Sequence, residues 1–202
     1  MSDGILSDSS IIRAVTDKQI EIDPFEIDRV NPASYDLTLG DEVKVYAKWV
    51  AETTLATDEN QDGTHLGRRV DEELDSRVEP KTRSFTIGER GWVLRPGILY
   101  LMHTREMVWT ESYVPIIDGK SSVARLGICV HLTAGFGDPG YRGQYTLEVT
   151  ALHRVRIYAG MRIAQIRFHT ISGPVRSIYN GNYTGARARG PVASRAWKQF
   201  KS

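Results

Sequence analysis

Residues 140–168 read GYRGQYTLEVTALHRVRIYAGMRIAQIRF. Along 145–151, Tyr145, Leu147, Val149 and Ala151 fall on one side, and Thr146, Glu148 and Thr150 on the other. Alternation with a period of two marks a half-buried strand. Further short strands are predicted at 155–158 and 163–168. The same texture extends outward, with strand-like runs at 84–87, 92–94, 99–104 and 128–132, punctuated by Gly and Pro. Nearer the N-terminus, Asn31-Pro32-Ala33-Ser34 reads as a turn, followed by alternating runs at 35–40 and 43–46. Many short strands with turn signals between them predict an all-β sandwich or barrel. One helix is predicted at 7–16, capped by Ser7 or Asp8, with Ile11, Ile12 and Val15 as its apolar stripe. No repeat and no linker divides the chain, so residues 1–202 read as a single domain.

Two segments depart from this pattern. Residues 52–79 are polar and charged and read as a long surface loop, with a short helix at 69–74. Residues 180–195, NGNYTGARARGPVASR, hold too little apolar surface to pack alone. A flexible tail is therefore expected from about 180 to 202, ordered by a ligand or a neighbouring subunit.

Composition excludes several functions. A chain of 202 residues with 41% apolar and 25% charged side chains builds a soluble core. Its 26 basic and 25 acidic residues nearly balance, which argues against a nucleic-acid binder but leaves room for a small phosphorylated ligand. No apolar run is long enough for a membrane span, and MSDGILSDSS lacks the pattern of a secretory signal. The lone Cys129 fits a reducing, cytoplasmic setting. With one Cys and five scattered His, no zinc ligand set is spelled out, so any hydrolysis must use side chains to activate water.

Three segments hold the candidate chemistry. In 118–127, Gly119-Lys120-Ser121-Ser122 offers backbone N–H groups, a cation and two hydroxyls suited to phosphate oxygens. It is not a Walker A loop, because Val114 stands where the first glycine is needed; its plainer reading is a charged turn entering a short helix. In 131–143, four glycines and a proline suggest a wide hairpin whose main chain can read a base edge. There Asp138 could hold a water or a ribose hydroxyl, and Tyr141 could stack under a sugar; otherwise Asp138 is a turn residue. The third is Glu148, which on a solvated strand face would be ordinary. Covered by a neighbour, its carboxylate could take a proton from an attacking water and deliver it to a leaving group.

Together with Asn31 to Gly40, and with Pro174, Tyr179-Asn180, Arg189-Gly190-Pro191 and Ser194-Arg195, these segments resemble the dCTP deaminase family over nearly the whole chain. The resemblance implies a distorted β-barrel or jelly-roll, dUTPase-like core with a short N-terminal helix. It implies a homotrimer with active sites shared between subunits. Catalytic roles map onto Glu148, Arg125, Ser121, the Ala134 carbonyl and Asp138. Substrate contacts map onto Lys120, Ser122, Leu132, Thr133, Tyr141, Gln165 and Tyr179, with magnesium held through the nucleotide phosphates.

The chain departs from the family at three places. Lys120 replaces an arginine and loses its bidentate geometry. Thr133-Ala134-Gly135-Phe136 replaces Thr-Ala-His-Arg, which resembles the bifunctional branch that forms dUMP and pyrophosphate; Asp138 also resembles the water-activating aspartate of dUTPases. Asn182-Tyr183-Thr184-Gly185-Ala186 lacks the tail Lys and Gln that contact phosphates, leaving Arg187 and Arg189 as candidate replacements. Two other readings stand beside dCTP deamination: a dUTP diphosphatase without deaminase activity, and a non-catalytic nucleotide-binding relative. Glu148 with Arg125 favours the deaminase, since a diphosphatase needs no proton shuttle at the base.

Overall fold

A computed structural model of the chain describes residues 4–47, 73–185 and 188–200. The predicted loop at 52–79, with its helix at 69–74, lies mostly outside these residues. The longest helix among the described residues, α1 (Asp8–Thr16), begins where Ser7 accepts a hydrogen bond from the Ser10 amide. It buries Ile11 and Ala14, while Ile12 faces outward. The predicted stripe is thereby corrected: at 3.6 residues per turn, position 14 shares the face of position 11 better than position 12 does.

Twelve strands follow among the described residues. β1 (Ile20–Asp23), β4 (Glu42–Tyr46), β5 (Thr82–Thr86), β7 (Tyr100–Thr110), β9 (Ile128–Cys129) and β10 (Arg142–Ala151) form one antiparallel sheet in the order β5-β4-β7-β10-β9, with β1 also paired to β7. β2 (Val30–Asn31), β3 (Ser34–Thr38), β12 (Arg162–Thr170) and β8 (Tyr113–Gly119) form a second sheet in that order. β6 (Trp92–Leu94) and β11 (Val155–Ile157) pair as a third. The architecture is mainly β, as the short alternating runs predict. Asn31 pairs with Ser34, so Pro32-Ala33 form the tip of the predicted turn.

The core lies between the sheets. Tyr35, Leu37, Trp92, Leu94, Tyr100, Met102, Leu147, Ile166 and Phe168 are essentially inaccessible to solvent. On β10 the apolar face is the one read from the alternation: Tyr145, Leu147, Val149 and Ala151 are buried, and the residues between them are only half-buried.

The sequence pattern misses β1, β2 and β8 and predicts β7 too short; for β8 and β7 the reason is physical. β8 carries Pro115, which cannot donate to a ladder; it sits at the edge of its sheet, where proline is tolerated. β7 runs six residues past the predicted end at 104, through Glu106. A carboxylate in a strand interior looks like a terminus. Here it is fully buried and satisfied: Arg29 donates at 2.6 Å, the Thr38 hydroxyl at 2.6 Å and the Thr38 amide at 2.9 Å. Removing one partner of such a network strands a buried charge.

Residues 188–192 lie against β4 and β10 of their own chain, held by hydrogen bonds of their main chain. Ala188, Pro191 and Trp197 are buried.

Candidate active site

Antiparallel pairing of β9 with β10 sets Cys129 opposite Thr150. Continuing that register by two residues brings His131 opposite Glu148, and the two side chains meet: His131 Nδ1 lies 2.5 Å from Glu148 Oε2. The approach has ion-pair distance without hydrogen-bond alignment, and neither atom has a hydrogen-bond partner among the described residues. The histidine side chain is 5% exposed and the glutamate 30%, so one closes the site from behind while the other opens onto it. His131 was not singled out from the sequence, because only strand register connects positions 17 residues apart.

Glu148 opens into a cavity of about 430 Å³ that is also lined by Ala134, Asp138, Tyr141, Tyr179 and the tail residues Ala188, Val192 and Ser194. The glycine-rich loop reaches it because β8 pins it down. Ile117 donates to the Gly135 carbonyl at 2.8 Å, and Gly137 donates to the Pro115 carbonyl at 2.8 Å. A Cβ on Gly135 would fall 2.4 Å from the Ile117 carbonyl oxygen, and one on Gly137 would fall 2.8 Å from the Pro115 ring. Glycine here is a requirement of close approach. It delivers Ala134 and Asp138 to the cavity.

Aromatic rings make one wall. Tyr141 lies 4.6 Å from Tyr145 and 6.2 Å from Tyr179, centroid to centroid, and its hydroxyl donates to the Gln144 carbonyl at 2.6 Å. Burial, with Tyr179 beside it, pushes the Tyr141 phenol above its ordinary range. Burial pushes Tyr145 well above its own, reinforced by Tyr141 and Asp138. Both rings are therefore neutral at any ordinary pH, and the Tyr145 hydroxyl is buried without a partner among the described residues.

The remaining candidates gather elsewhere. Ser121 and Ser122 open a short helix, α2 (Ser121–Ala124), with Arg125 at its C-terminal end, and all three are exposed. None of them lines the cavity. Lys120 caps α2 and donates to Asp36 at 2.5 Å. Asp36 has a side chain only 2% exposed and also accepts from Asn31 at 2.9 Å and Arg162 at 3.4 Å. Gln165 donates to the Gly119 carbonyl at 3.2 Å, just before α2. Leu132, Thr133 and Arg189 are exposed and lie outside the cavity lining. Arg187 falls outside the described residues. Among the described residues no three His, Cys, Asp or Glu side chains converge to hold a metal.

The pattern that joins Glu148 to this glycine-rich loop is that of a known family. Residues 5–171 match the dCTP deaminase-like family. The chain belongs to that family. It is 38% identical over 183 residues to a dCTP deaminase, dUMP-forming, of Clostridium acetobutylicum, covering 91% of each chain. It is 34% identical over 197 residues to a dCTP deaminase, dUMP-forming, of Leptospira biflexa, covering 98% of each. Among solved structures, the 2′-deoxycytidine 5′-triphosphate deaminase of Agrobacterium tumefaciens shares the fold with a TM-score of 0.58 at 22% identity. That match covers 84% of this chain and 49% of the other. No helix among the described residues is long and apolar enough to cross a membrane.

Proposed function

We propose that this dCTP deaminase-family member hydrolyses the amino group from dCTP and continues to dUMP and pyrophosphate, at sites shared between the subunits of a homotrimer. The observation that supports it most is the pairing of Glu148 and Asp138 in one aromatic-walled cavity. Glu148 takes a proton from water as the oxygen attacks C4 and passes it to N3. The proton of the new C4 hydroxyl then goes through Glu148 to the amino nitrogen, and ammonia leaves as the C4 carbonyl forms, giving dUTP. A second water, deprotonated by Asp138, attacks the α-phosphorus and displaces pyrophosphate, leaving dUMP. His131 holds the Glu148 carboxylate in place from behind.

The exposure of Ser121, Ser122 and Arg125 supports the shared site, since a second copy can present them to the cavity. Lys120, already matched to Asp36, contributes mainly by shaping the start of α2. Magnesium would be held through the nucleotide phosphates and would supply neutralisation of their charge. The tail closes over the bound nucleotide. The product feeds thymidylate synthesis in the cytoplasm.

Incubating the protein with dCTP and magnesium tests the reading directly. Ammonia, dUMP and pyrophosphate should appear together. Release of dUMP and pyrophosphate from dUTP, with no ammonia from dCTP, would leave a dUTP diphosphatase in its place. Inertness toward both would leave a non-catalytic relative.

A further inference from the structure

Gln144 and Thr146 precede Glu148 at two-residue intervals and share its face of β10. Each side chain grips the main chain of the tail. Gln144 Oε1 accepts from the Gly190 amide at 2.8 Å, and Thr146 Oγ1 accepts from the Val192 amide at 3.0 Å. The Gln144 amide donates to the Ala188 carbonyl at 2.8 Å, and Lys44 of β4 donates to the Pro191 carbonyl at 2.8 Å. The two-residue spacing on both partners imitates a strand ladder, with side-chain oxygens on one side replacing carbonyls.

The track is also cleared for close approach. A Cβ on Gly143 would fall 2.2 Å from the Ala188 Cβ, so only glycine lets the tail sit down there. Gly190 turns through a positive φ of 64° beside Glu42. Beyond these contacts Ala188, Val192 and Ser194 reach the cavity that holds Glu148. Reading main chain alone suits a segment with few apolar residues and without the family's tail Lys and Gln.

We propose that Gln144 and Thr146 are positioning residues that hold the tail as a strap across the Glu148 cavity, in register to cover the nucleotide there; the identity of that nucleotide rests on the function proposed above. The strap is docked by β10 before any ligand arrives, and substrate binding has only to tighten it.

Amide hydrogen exchange of the full-length protein reads the docking independently of activity. In Gln144→Leu/Thr146→Val, exchange at Gly190 and Val192 should quicken by about tenfold, the loss of two hydrogen bonds. Val192→Pro deletes one donor from the tail side without altering the sheet, and should quicken exchange at Gly190. Gln144→Leu alone should raise KM for dCTP about fivefold with kcat within about twofold. Gln144→Glu keeps the acceptor but loses the side-chain donor to the Arg105 carbonyl at 3.1 Å, and should restore KM in part. Exchange in the double variant as slow as in the parent overturns the docking. Quickened exchange with unchanged KM overturns the strap's role. A parent protein that leaves dCTP untouched defeats the proposed function instead, and exchange then still decides whether Gln144 and Thr146 dock the tail.

Discussion

The outward face of β10 and the short helix α2 hold the two halves of the candidate site, and the chain treats them in opposite ways. Around β10 it completes the surroundings itself: His131 stands behind Glu148, the pinned loop brings Asp138, and the tail lines the far wall. At α2 it completes only the base. Lys120 is locked to buried Asp36 and Gln165 to Gly119, while Ser121, Ser122 and Arg125 are exposed and do not line the Glu148 cavity. A rigid base with exposed polar side chains is what a surface needs to act on a neighbour's cavity. On the shared site proposed above, catalysis is split by chain boundaries, while rigidity is supplied within each chain.

The sharpest way to break this comparison is at Glu148. Glu148→Gln keeps the shape but cannot accept a proton, so ammonia release from dCTP should fall by about 10²–10⁴-fold. Thermal stability should stay close to the parent's, because the side chain opens onto the cavity and leaves the core face untouched. Near-normal turnover would move the proton shuttle elsewhere and favour the diphosphatase.

A mixing experiment sharpens the division into halves. Arg125→Ala and Glu148→Gln proteins should each be crippled; under the proposed shared site, assemblies re-formed from a mixture of both should regain part of the activity, since some sites then pair an intact Glu148 with an intact Arg125. Ammonia assays on the mixture that never exceed the two parents would show that both residues serve the site of a single chain.

Within the β10 half, Asp138 and Glu148 should separate. Asp138→Asn should slow pyrophosphate release by about tenfold or more while ammonia release changes less, so that dUTP accumulates. Loss of both products in equal measure would make Asp138 a turn residue, as its carbonyl contact with the Tyr141 amide at 3.1 Å allows.

The smallest effect is expected at Tyr145. Its buried hydroxyl has no partner among the described residues, and an unsatisfied buried polar group costs about 1–3 kcal/mol. Tyr145→Phe should therefore leave stability unchanged or raise it by about 1 kcal/mol in denaturant unfolding. A clear loss of stability would mean that the hydroxyl is satisfied by an ordered water.

Much of this molecule was already legible in the order of its residues. Alternation along 145–151 assigned the buried face of β10 and placed Glu148 on the other, because a pleated strand sends successive side chains to opposite sides. Ser7 announced the start of α1, and Asn31 to Ser34 announced a tight turn, since both are local hydrogen-bonding geometries. The family pattern named Glu148, Arg125, Asp138 and their neighbours as candidates. What the tertiary structure alone decided is everything that depends on partners distant in sequence. Register across β9 and β10 put His131 against Glu148; an edge position made Pro115 acceptable in β8; Arg29 and Thr38 made Glu106 acceptable inside β7. The tail looked unable to pack because its side chains are small and polar. It packs through its main chain, whose donors and acceptors are the same in every sequence, so that only the facing side chains of β10 and β4 could reveal where they go.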